Sequence, residues 1–490
     1  NSGDVIINLE PTHDEVESEM ETYKTYDVIV FDAEPEGIVT AISAARNGKS
    51  VLLVEKRDGP GGLMTYGMLN TIDMNTAEDG TLLSQGIFEE FFNKIGRRGS
   101  FDDDKIAEVL SENITTMYNV EEVRVGSNGS KIEYVIIDGK KYTAKMYVDC
   151  TQDADITVLA GGKYVEGWED VNEENRSMSA TLVIKMNNVD WNACCKAIDA
   201  AKRPNAGYSN TGIWAFGEIT QKYVPTQPHM RLKALNIGRQ NDGSVLINSL
   251  QIINVDMLDS SAKERAYTKC VKEAEAVAKF IAKNVPGFEK ATLAGVAPEL
   301  YVRETRHIVG EHILTVKEML ESTYSYSAIA MAAYPIDVQT TSIYDWGYII
   351  GNPSQYYIPM ATVVPKGFTN LMTIGRSGSY TSIAAGSARV IPTGMTLGQS
   401  AGIMAAVCID HNIDLQKLLE DYTYRHEVKN RMKAQKMYID DKSKPVVDKN
   451  DRYYDFIIEM CELGILSLGY NNEFDANKVV TERDFIVSTK

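Results

Sequence analysis

The sequence has no apolar run that approaches the ~20 residues of a membrane-spanning helix, so we expect no membrane span. It also has no basic excess, because 50 Lys and Arg stand against 68 Asp and Glu and give a formal net charge of −18. Nucleic-acid binding requires a basic stripe, so this balance argues against a nucleic-acid partner. The six cysteines are scattered and none forms a CxxC pair, so we expect neither a metal site nor a redox disulfide.

A further absence is local and concerns glycine. Residues 26–55 have the pattern of an apolar strand, a helix and a second strand, which is the βαβ unit of a parallel sheet. In dinucleotide-binding folds three glycines in the first turn permit the tight bend, the approach of the pyrophosphate and close helix packing. Here the turn reads VFDAEPEG, with Asp32 and Glu34 at the first two positions and only Gly37 at the third. Both carboxylates lie at a helix N-terminus, where they could replace a phosphate. The turn alone leaves binding and loss of the cofactor both open.

The residues after the turn favour a cofactor. Glu55 ends the second strand about 20 residues beyond the turn, where an acidic residue accepts hydrogen bonds from the adenosine ribose. We place the next residue, Lys56, in the same site. Gly61 and Gly62 follow in DGPGGLMTYGM and would let the backbone run against the cofactor. The alternatives are a solvated carboxylate at the strand end and a flexible loop.

Four stretches together resemble the FAD-dependent oxidoreductase family with the glutathione-reductase-like FAD fold, and its bacterial branch in particular. They are YDVIVFDAEPEGIVTAISAARNGKSVLLVEKRDGPGGLMTYGM, VDCTQDADI, PGFEKATLAGVAPELYVRETRHIVGEHILT and LMTIGRSGSYTSIAAGSARVIPTGMTLGQSAGIMAA. The resemblance implies an α/β protein with a Rossmann-like FAD-binding domain, a three-stranded meander, an inserted α+β substrate domain and a small helical C-terminal module. It also implies FAD that is bound without a covalent link.

The predicted organisation has six segments. They are an N-terminal extension (1–25), the two parts of the FAD-binding domain (26–165 and 346–412), the substrate domain (166–345), a helical linker (413–442) and the C-terminal module (443–490).

The resemblance also implies cofactor contacts late in the chain. Thr151 lies in VDCTQDAD, where Gln152 replaces the glycine that normally follows it. Gly375 and Arg376 would lie beside the pyrophosphate and the ribityl chain, and Arg376 could offset the charge of the acidic turn. A helix that begins near Gly394 would direct its N-terminus, with Met395, at the isoalloxazine ring. Its small residues Gly398, Ala401 and Gly402 predict close packing against a neighbour.

The stretch RETRHIVGEH carries the candidate substrate-binding residues. If Arg303 and His307 share a helical face, they could hold a carboxylate substrate together with Arg306, and His307 could relay a proton. An equally open alternative is a structural network with Glu304 and Glu311.

Two other residues are candidates for the same cavity. Arg389 lies in GSARVIPTG, and Asp337 lies in YPIDVQ.

Residues 451–486 resemble one S-layer homology repeat, with TERD in place of a TRAE-like motif, which shifts Arg483 by one position. The resemblance predicts an exported protein of a bacterial cell envelope, with cell-wall glycan or self-assembly as its interaction. The alternative is a helical cap that packs on the main body.

Two functions therefore stay open. The first is an exported FAD-dependent oxidoreductase that takes electrons from a small molecule and passes them to an unknown acceptor. The second is a flavoprotein fold with weakened or lost FAD binding, reused as a structural or assembly protein at the cell surface.

Overall fold

The structure is a computed structural model that describes residues 15–96, 114–442 and 444–477. It has a mixed α/β fold. In the described ranges the strands are β1 Thr22–Phe31, β2 Val51–Val54, β3 Thr115–Met117, β4 Val123–Ser127, β5 Ile132–Ile137, β6 Lys140–Asp149, β7 Tyr164–Glu166, β8 Ala180–Asn187, β9 Gly207–Tyr208, β10 Gly212–Ala215, β11 Met230–Leu232, β12 Leu235–Arg239, β13 Val245–Ile252, β14 Thr292–Val296, β15 Arg306–Ile308, β16 Ala328–Ala332, β17 Asp337–Val338, β18 Tyr348–Ile349, β19 Tyr356–Pro359 and β20 Leu371–Thr373. The α-helices of the same ranges are α1 Glu15–Glu19, α2 Pro35–Arg46, α3 Gly62–Thr65, α4 Ile87–Lys94, α5 Asp155–Leu159, α6 Trp191–Ala201, α7 Gly217–Thr220, α8 Ser260–Asn284, α9 Val316–Glu321, α10 Ala385–Ala388, α11 Ile391–His411, α12 Leu415–Glu420, α13 Tyr422–Ala434 and α14 Tyr454–Glu462.

The first sheet contains the predicted βαβ unit, which is confirmed. Strand β1 pairs in parallel with β2 on one side and with β6 on the other. Strands β3 and β20 extend the parallel part, which has the order β3-β2-β1-β6-β20. Residues 28–31 of β1 and the whole of β2 are apolar and buried, as expected where a sheet is covered on both faces.

The predicted antiparallel meander is also confirmed, because β4, β5 and β6 pair in sequence. Strand β6 joins the antiparallel part of the sheet to the parallel part, because β5 and β20 pair with different ends of it. Its first three residues pair with β5, and its last three residues pair in parallel with β20. The carboxyl ends of β1, β6 and β20 therefore meet at one end of the sheet, where α/β folds bind their ligands.

Helix α2 covers this sheet and α11 packs against α2, as the small residues predict. A Cβ atom on Gly398 would lie 2.5 Å from the carbonyl oxygen of Glu36, and one on Gly402 would lie 2.6 Å from Ser43 Oγ. Neither position therefore accepts a larger side chain. The helix begins at Ile391, three residues before the predicted start, because Pro392 suits a first turn that needs no N–H donor.

A second sheet, with its own apolar core, has the order β14-β8-β13-β12-β10-β9, and β11 pairs with β13. The long helix α8 packs on it and buries one face that includes Cys270, Val277 and Ile281. The Asp259 carboxylate accepts a hydrogen bond from Ala262 N and thereby caps the start of this helix.

The C-terminal segment packs on the main body. Helix α14 buries Ile457, Ile458 and Cys461 in the same core as the first sheet. The TERD motif, including Arg483, lies outside the described residues. Of the helices in the described ranges, none combines the length and the apolar character that a membrane crossing requires.

Candidate functional site

The acidic turn has the backbone of a dinucleotide-binding turn. Asp32 adopts a left-handed conformation with φ 66°, which glycine usually supplies, and its N–H donates a hydrogen bond to Val54 O. Gly37 is required here because a Cβ atom on it would lie 1.9 Å from the carbonyl oxygen of Asp32. The third glycine thus serves the close approach of α2 to the turn.

Glu34 fills the space that we assigned to a cofactor beside the double glycine. Its carboxylate accepts a hydrogen bond from Leu63 N (2.8 Å) and pairs with Arg57 Nη2 (3.0 Å). A Cβ atom on Gly62 would lie 2.0 Å from Glu34 Oε2. Gly61, in a left-handed conformation, precedes it as the cap of α3. In this structure the double glycine makes room for Glu34.

Glu55 is fully buried and its carboxylate supports the turn. One oxygen accepts a hydrogen bond from Ala33 N and the other from Arg57 N, both at 2.7 Å. Arg57 also forms a two-point ion pair with Glu299 at 2.9 Å. Sequence reasoning missed Arg57, although its position directly after Glu55 and Lys56 was a usable signal.

Two acids at the turn favour the neutral form. Burial raises the pKa of Asp32 well above its usual value, although Lys56 Nζ, 3.9 Å from Asp32 Oδ2, acts in the opposite direction. Burial, with the charge of Glu34, raises the pKa of Glu36 to about 8. Glu36 lies against α11, since a Cβ atom on Gly394 would be 2.4 Å from its carboxylate.

Arg376 does not offset the charge of Asp32 and Glu34 as we expected. It pairs with Asp153 at 2.6 Å and donates a hydrogen bond to Gln152 Oε1 at 3.2 Å. Burial acts to raise the pKa of Asp153, but Arg376, Lys263 and the hydrogen bond from Thr305 together outweigh it, and the net shift is downward. The charge of Glu34 is balanced by Arg57 instead.

Thr151 and Met395 have structural surroundings. The Thr151 hydroxyl donates a hydrogen bond to Asp149 Oδ1 and accepts one from Asp155 N, which fixes the start of α5. Met395 is a buried residue of α11.

The charges at the turn are compatible with the pyrophosphate of FAD in one protonation state, although Glu34 occupies part of the space beside the double glycine. Glu36 is protonated below about pH 8 and can donate a hydrogen bond to a phosphate oxygen, burial disfavours the charge of Asp32, and the charge of Glu34 is balanced by Arg57. Gly375 has φ 113° and faces open space, so the backbone there accepts a close ligand. The N-terminus of α2 adds N–H donors and a positive dipole.

A cavity of about 610 Å³ is lined by residues of the second sheet and by segments near Asp73, Tyr301, Asp337 and Arg389. The cavity shares residues with the space between the acidic turn and the Gly375–Arg376 loop, which we call the cofactor region. The shared residues are Leu69, Thr71, Asp73, Tyr301, Arg303 and Arg389. Trp214 and Phe216 contribute aromatic wall from the second sheet, and Asp337 lines the cavity as predicted. The cavity is large enough for a small organic molecule.

Two arginines of this cavity have no carboxylate partner. Arg303 donates hydrogen bonds to Ser179 O (2.9 Å) and Thr181 Oγ1 (2.7 Å), and its guanidinium lies 4.2 Å from the Tyr301 ring centre. Arg389 donates to the Tyr301 hydroxyl at 2.8 Å, and its buried Nε has no hydrogen-bond partner. Among the described residues neither arginine forms a direct ion pair, although the charges of Asp337 and Asp73 in the same cavity act on both.

The same cavity also carries acidic groups. Burial raises the pKa of Asp73 to about 6, although Arg389 and a hydrogen bond from Tyr334 act in the opposite direction. Burial lowers the pKa of Lys233 to about 8. Asp73 is therefore a group that can gain or lose a proton near neutral pH.

The structure corrects the predicted helix of RETRHIVGEH. Arg306 and His307 lie on β15, which pairs with β7, so Arg303 and His307 share no helical face. His307 Nε2 bonds Glu304 Oε1 at 2.8 Å with both groups buried, and Arg306 pairs with Asp155 at 2.8 Å. These contacts favour the structural alternative for Arg306 and His307, while Arg303 alone of the three lines the cavity.

The comparisons with known proteins agree with the cofactor. The family model described as "FAD dependent oxidoreductase" matches residues 27–432. Among curated proteins, no relative matches this sequence.

Solved structures of similar fold include the flavin-dependent brominase Bmp2 (12% identity, 90% of this chain and 94% of that chain, TM-score 0.44). They also include the p-nitrophenol 4-monooxygenase PnpA from Pseudomonas putida DLL-E4 (10% identity, 90% and 94%, TM-score 0.40) and a geranylgeranyl bacteriochlorophyll reductase-like protein from Thermoplasma acidophilum (12% identity, 94% and 95%, TM-score 0.38). These low values do not bear on the substrate or the reaction. The family model covers most of the chain, and the protein therefore belongs to the FAD-dependent oxidoreductase family, with FAD as its cofactor.

Proposed function

We propose that this protein oxidises a small organic acid whose carboxylate is held by Arg303 and Arg389. The observation that carries the proposal is the pair of cavity arginines without a carboxylate partner, one of them with a buried Nε that has no hydrogen-bond partner. A buried guanidinium that lacks an internal partner is stabilised by a bound anion. The cavity shares its wall with the cofactor region, so an acid bound there lies next to FAD.

FAD held at the acidic turn and the Gly375–Arg376 loop would supply the redox chemistry as a hydride acceptor, and its reoxidation would require a second, unidentified acceptor. The protein binds and orients the acid through Arg303 and Arg389, while the rings of Tyr301 and Phe216 exclude water. Asp73 is ionised above about pH 6 and takes the proton that leaves the oxidised hydroxyl or amino group.

The experiment uses benzoate as a non-reactive anionic probe. Benzoate is titrated into the FAD-loaded protein, and the change in the flavin absorption spectrum is followed. We expect a saturable spectral change that the variant Arg389→Met abolishes or weakens by about 10- to 100-fold. The control variant Arg46→Met, which removes an exposed arginine outside the cavity, keeps the wild-type response. No spectral change with the wild-type protein would contradict the proposal.

A second candidate function is supported by a different observation. The space that remains between the turn and the Gly375–Arg376 loop is only about 50 Å³, because Glu34 and its neighbours fill it. FAD binding must displace some of these side chains. If the side chains stay in place, the protein is a surface or assembly protein with weakened FAD binding. A wild-type protein that stays colourless in excess FAD, but becomes yellow as Glu34→Gly, would favour this function.

We further propose that the protein is exported to a bacterial cell envelope. The support for export is the resemblance of residues 451–486 to an S-layer homology repeat. The proposal that the FAD fold is of the glutathione-reductase-like type rests likewise on sequence resemblance. Fractionation of the source bacterium tests the location. Recovery with the cell envelope or the medium is expected, and recovery with the cytoplasm would contradict it. Binding to purified cell-wall glycan tests the corresponding partner.

A further inference from the structure

The C-terminal segment 466–474 lies along the edge of the main body, next to the substrate cavity. Leu468 N donates a hydrogen bond to Ile350 O (2.9 Å) and Gly469 N donates to Ile349 O (3.1 Å). The Leu468 side chain is buried in the core of the first sheet. The segment is therefore fixed to the body by both its backbone and a core side chain.

A reciprocal asparagine pair holds the next three residues. Asn352 N donates to Asn472 Oδ1 at 2.7 Å, and Asn472 Nδ2 donates back to Asn352 O at 2.9 Å. Asn352 Nδ2 also donates to the carbonyl oxygen of Tyr470 at 3.0 Å. Asn472 adopts a left-handed conformation with φ 56°, which asparagine tolerates better than most residues. These contacts fix the backbone on both sides of Tyr470.

The Tyr470 side chain reaches the cavity that holds the arginines. It is part of the cavity wall, together with Asp73 and Asp337, and it is about half exposed. Burial raises the pKa of the Tyr470 hydroxyl, and so do the charges of Asp337 and Asp73. The ring thus lies at the mouth of the cavity, on its acidic side.

We propose that Tyr470 determines which acids the cavity accepts, and that the segment 466–474 is a wall of the substrate site. The ring limits how far a ligand extends beyond Asp73 and Asp337, and its hydroxyl offers a hydrogen bond to the polar end of a short ligand. Asn352 and Asn472 are positioning residues for this ring. The inference rests on the proposed function, because it assigns selectivity to the same cavity.

The test compares a short and a long aromatic acid, benzoate and biphenyl-4-carboxylate, with the FAD-loaded full-length protein. The ratio of their dissociation constants is read from flavin absorption. We expect Tyr470→Ala to shift this ratio toward the longer acid by about 10-fold or more, since removal of a large ring opens the mouth. Tyr470→Phe keeps the preference for the short acid because it keeps the ring. The control Tyr422→Ala removes a similarly exposed tyrosine elsewhere and keeps the wild-type ratio.

A second variant guards against a general loss of folding. Asn472→Ala releases the segment without a change to the ring, so its ratio should shift in the same direction as that of Tyr470→Ala. Intact binding of both acids with ratios within twofold of wild type in both variants would overturn the assignment of Tyr470 alone. Failure of the wild-type protein to bind either acid would overturn the proposed function, and the assignment of Tyr470 with it.

Discussion

The cofactor turn and the substrate cavity both contain buried arginines, but the arginines of the two regions differ in their partners. In and around the turn each arginine has a carboxylate: Arg57 pairs with Glu34 and Glu299, and Arg376 pairs with Asp153. In the cavity, Arg303 and Arg389 form no ion pair with any described residue. Buried charges that are paired internally hold the structure, whereas those without a partner are available to a ligand. This difference separates the residues that build the site from those that bind in it.

The largest expected effect comes from breaking a paired charge at the turn. Arg57→Met leaves Glu34, Glu55 and Glu299 without their cation, so we expect a loss of about 3–5 kcal/mol in the free energy of unfolding. Chemical denaturation measures it. The control Arg46→Met removes the exposed pair with Glu90, for which we expect at most about 1 kcal/mol. Equal losses in the two variants would contradict the distinction between buried and exposed pairs.

Removal of a cavity arginine should weaken ligand binding more than it lowers the stability of the fold. Arg303→Met deletes a cation that faces the cavity, so benzoate affinity should fall by about 10-fold or more while the midpoint of thermal unfolding changes little. Flavin absorption titration and thermal unfolding of the same sample measure the two quantities. A large drop in the unfolding midpoint with unchanged benzoate affinity would show that Arg303 supports the structure.

The protonation of Asp73 should control the rate of flavin reduction. Because burial raises the pKa of Asp73 to about 6, the rate with an organic acid that reduces the flavin should rise with pH and level off above about 7. Anaerobic stopped-flow absorption measures this rate. Asp73→Asn should remove the rising limb and slow the reduction by about 100-fold or more. An unchanged limb in the variant would assign it to another group.

A further prediction concerns Glu36 and the pH dependence of stability. The folded protein holds a proton on Glu36 up to about pH 8, whereas the unfolded chain releases it near the ordinary value of 4.5. The resulting stability is complete below pH 4.5 and is lost as the pH rises toward 8, by at most about 1.4 kcal/mol per pH unit. Glu36→Gln does not titrate, so its denaturation curve should be flatter over this range. Parallel curves for the two proteins would show that Glu36 is ionised when folded.

Local sequence patterns predicted those elements whose partners are near in the chain. The βαβ unit and the meander follow from apolar periodicity and turn residues, and the close packing of α11 follows from its spaced glycines. The strand at Arg306–Ile308 was missed because it pairs with Tyr164–Glu166, about 140 residues away, which no local pattern shows.

The site itself was predictable only in part. Arg389 and Asp337 were found from motifs, and both line the cavity. The partners of Glu34 were not predicted from the sequence, because Arg57 and Leu63 contact Glu34 only after the turn has folded. Tyr470 was missed for a similar reason, since contacts with Ile349, Ile350 and Asn352, distant in the sequence, bring the chain back to the cavity.

The most direct test of the account is the absorption spectrum of the purified protein after incubation with FAD at pH 7 and removal of free FAD. We predict flavin bands that stay with the folded protein and move to the supernatant on denaturation, since burial disfavours the charge of Asp32 and Glu36 is protonated at this pH, so that both tolerate the pyrophosphate. A protein that stays colourless at every FAD concentration would contradict the account. In that case the carboxylates of the acidic turn would occupy the place of the cofactor phosphates.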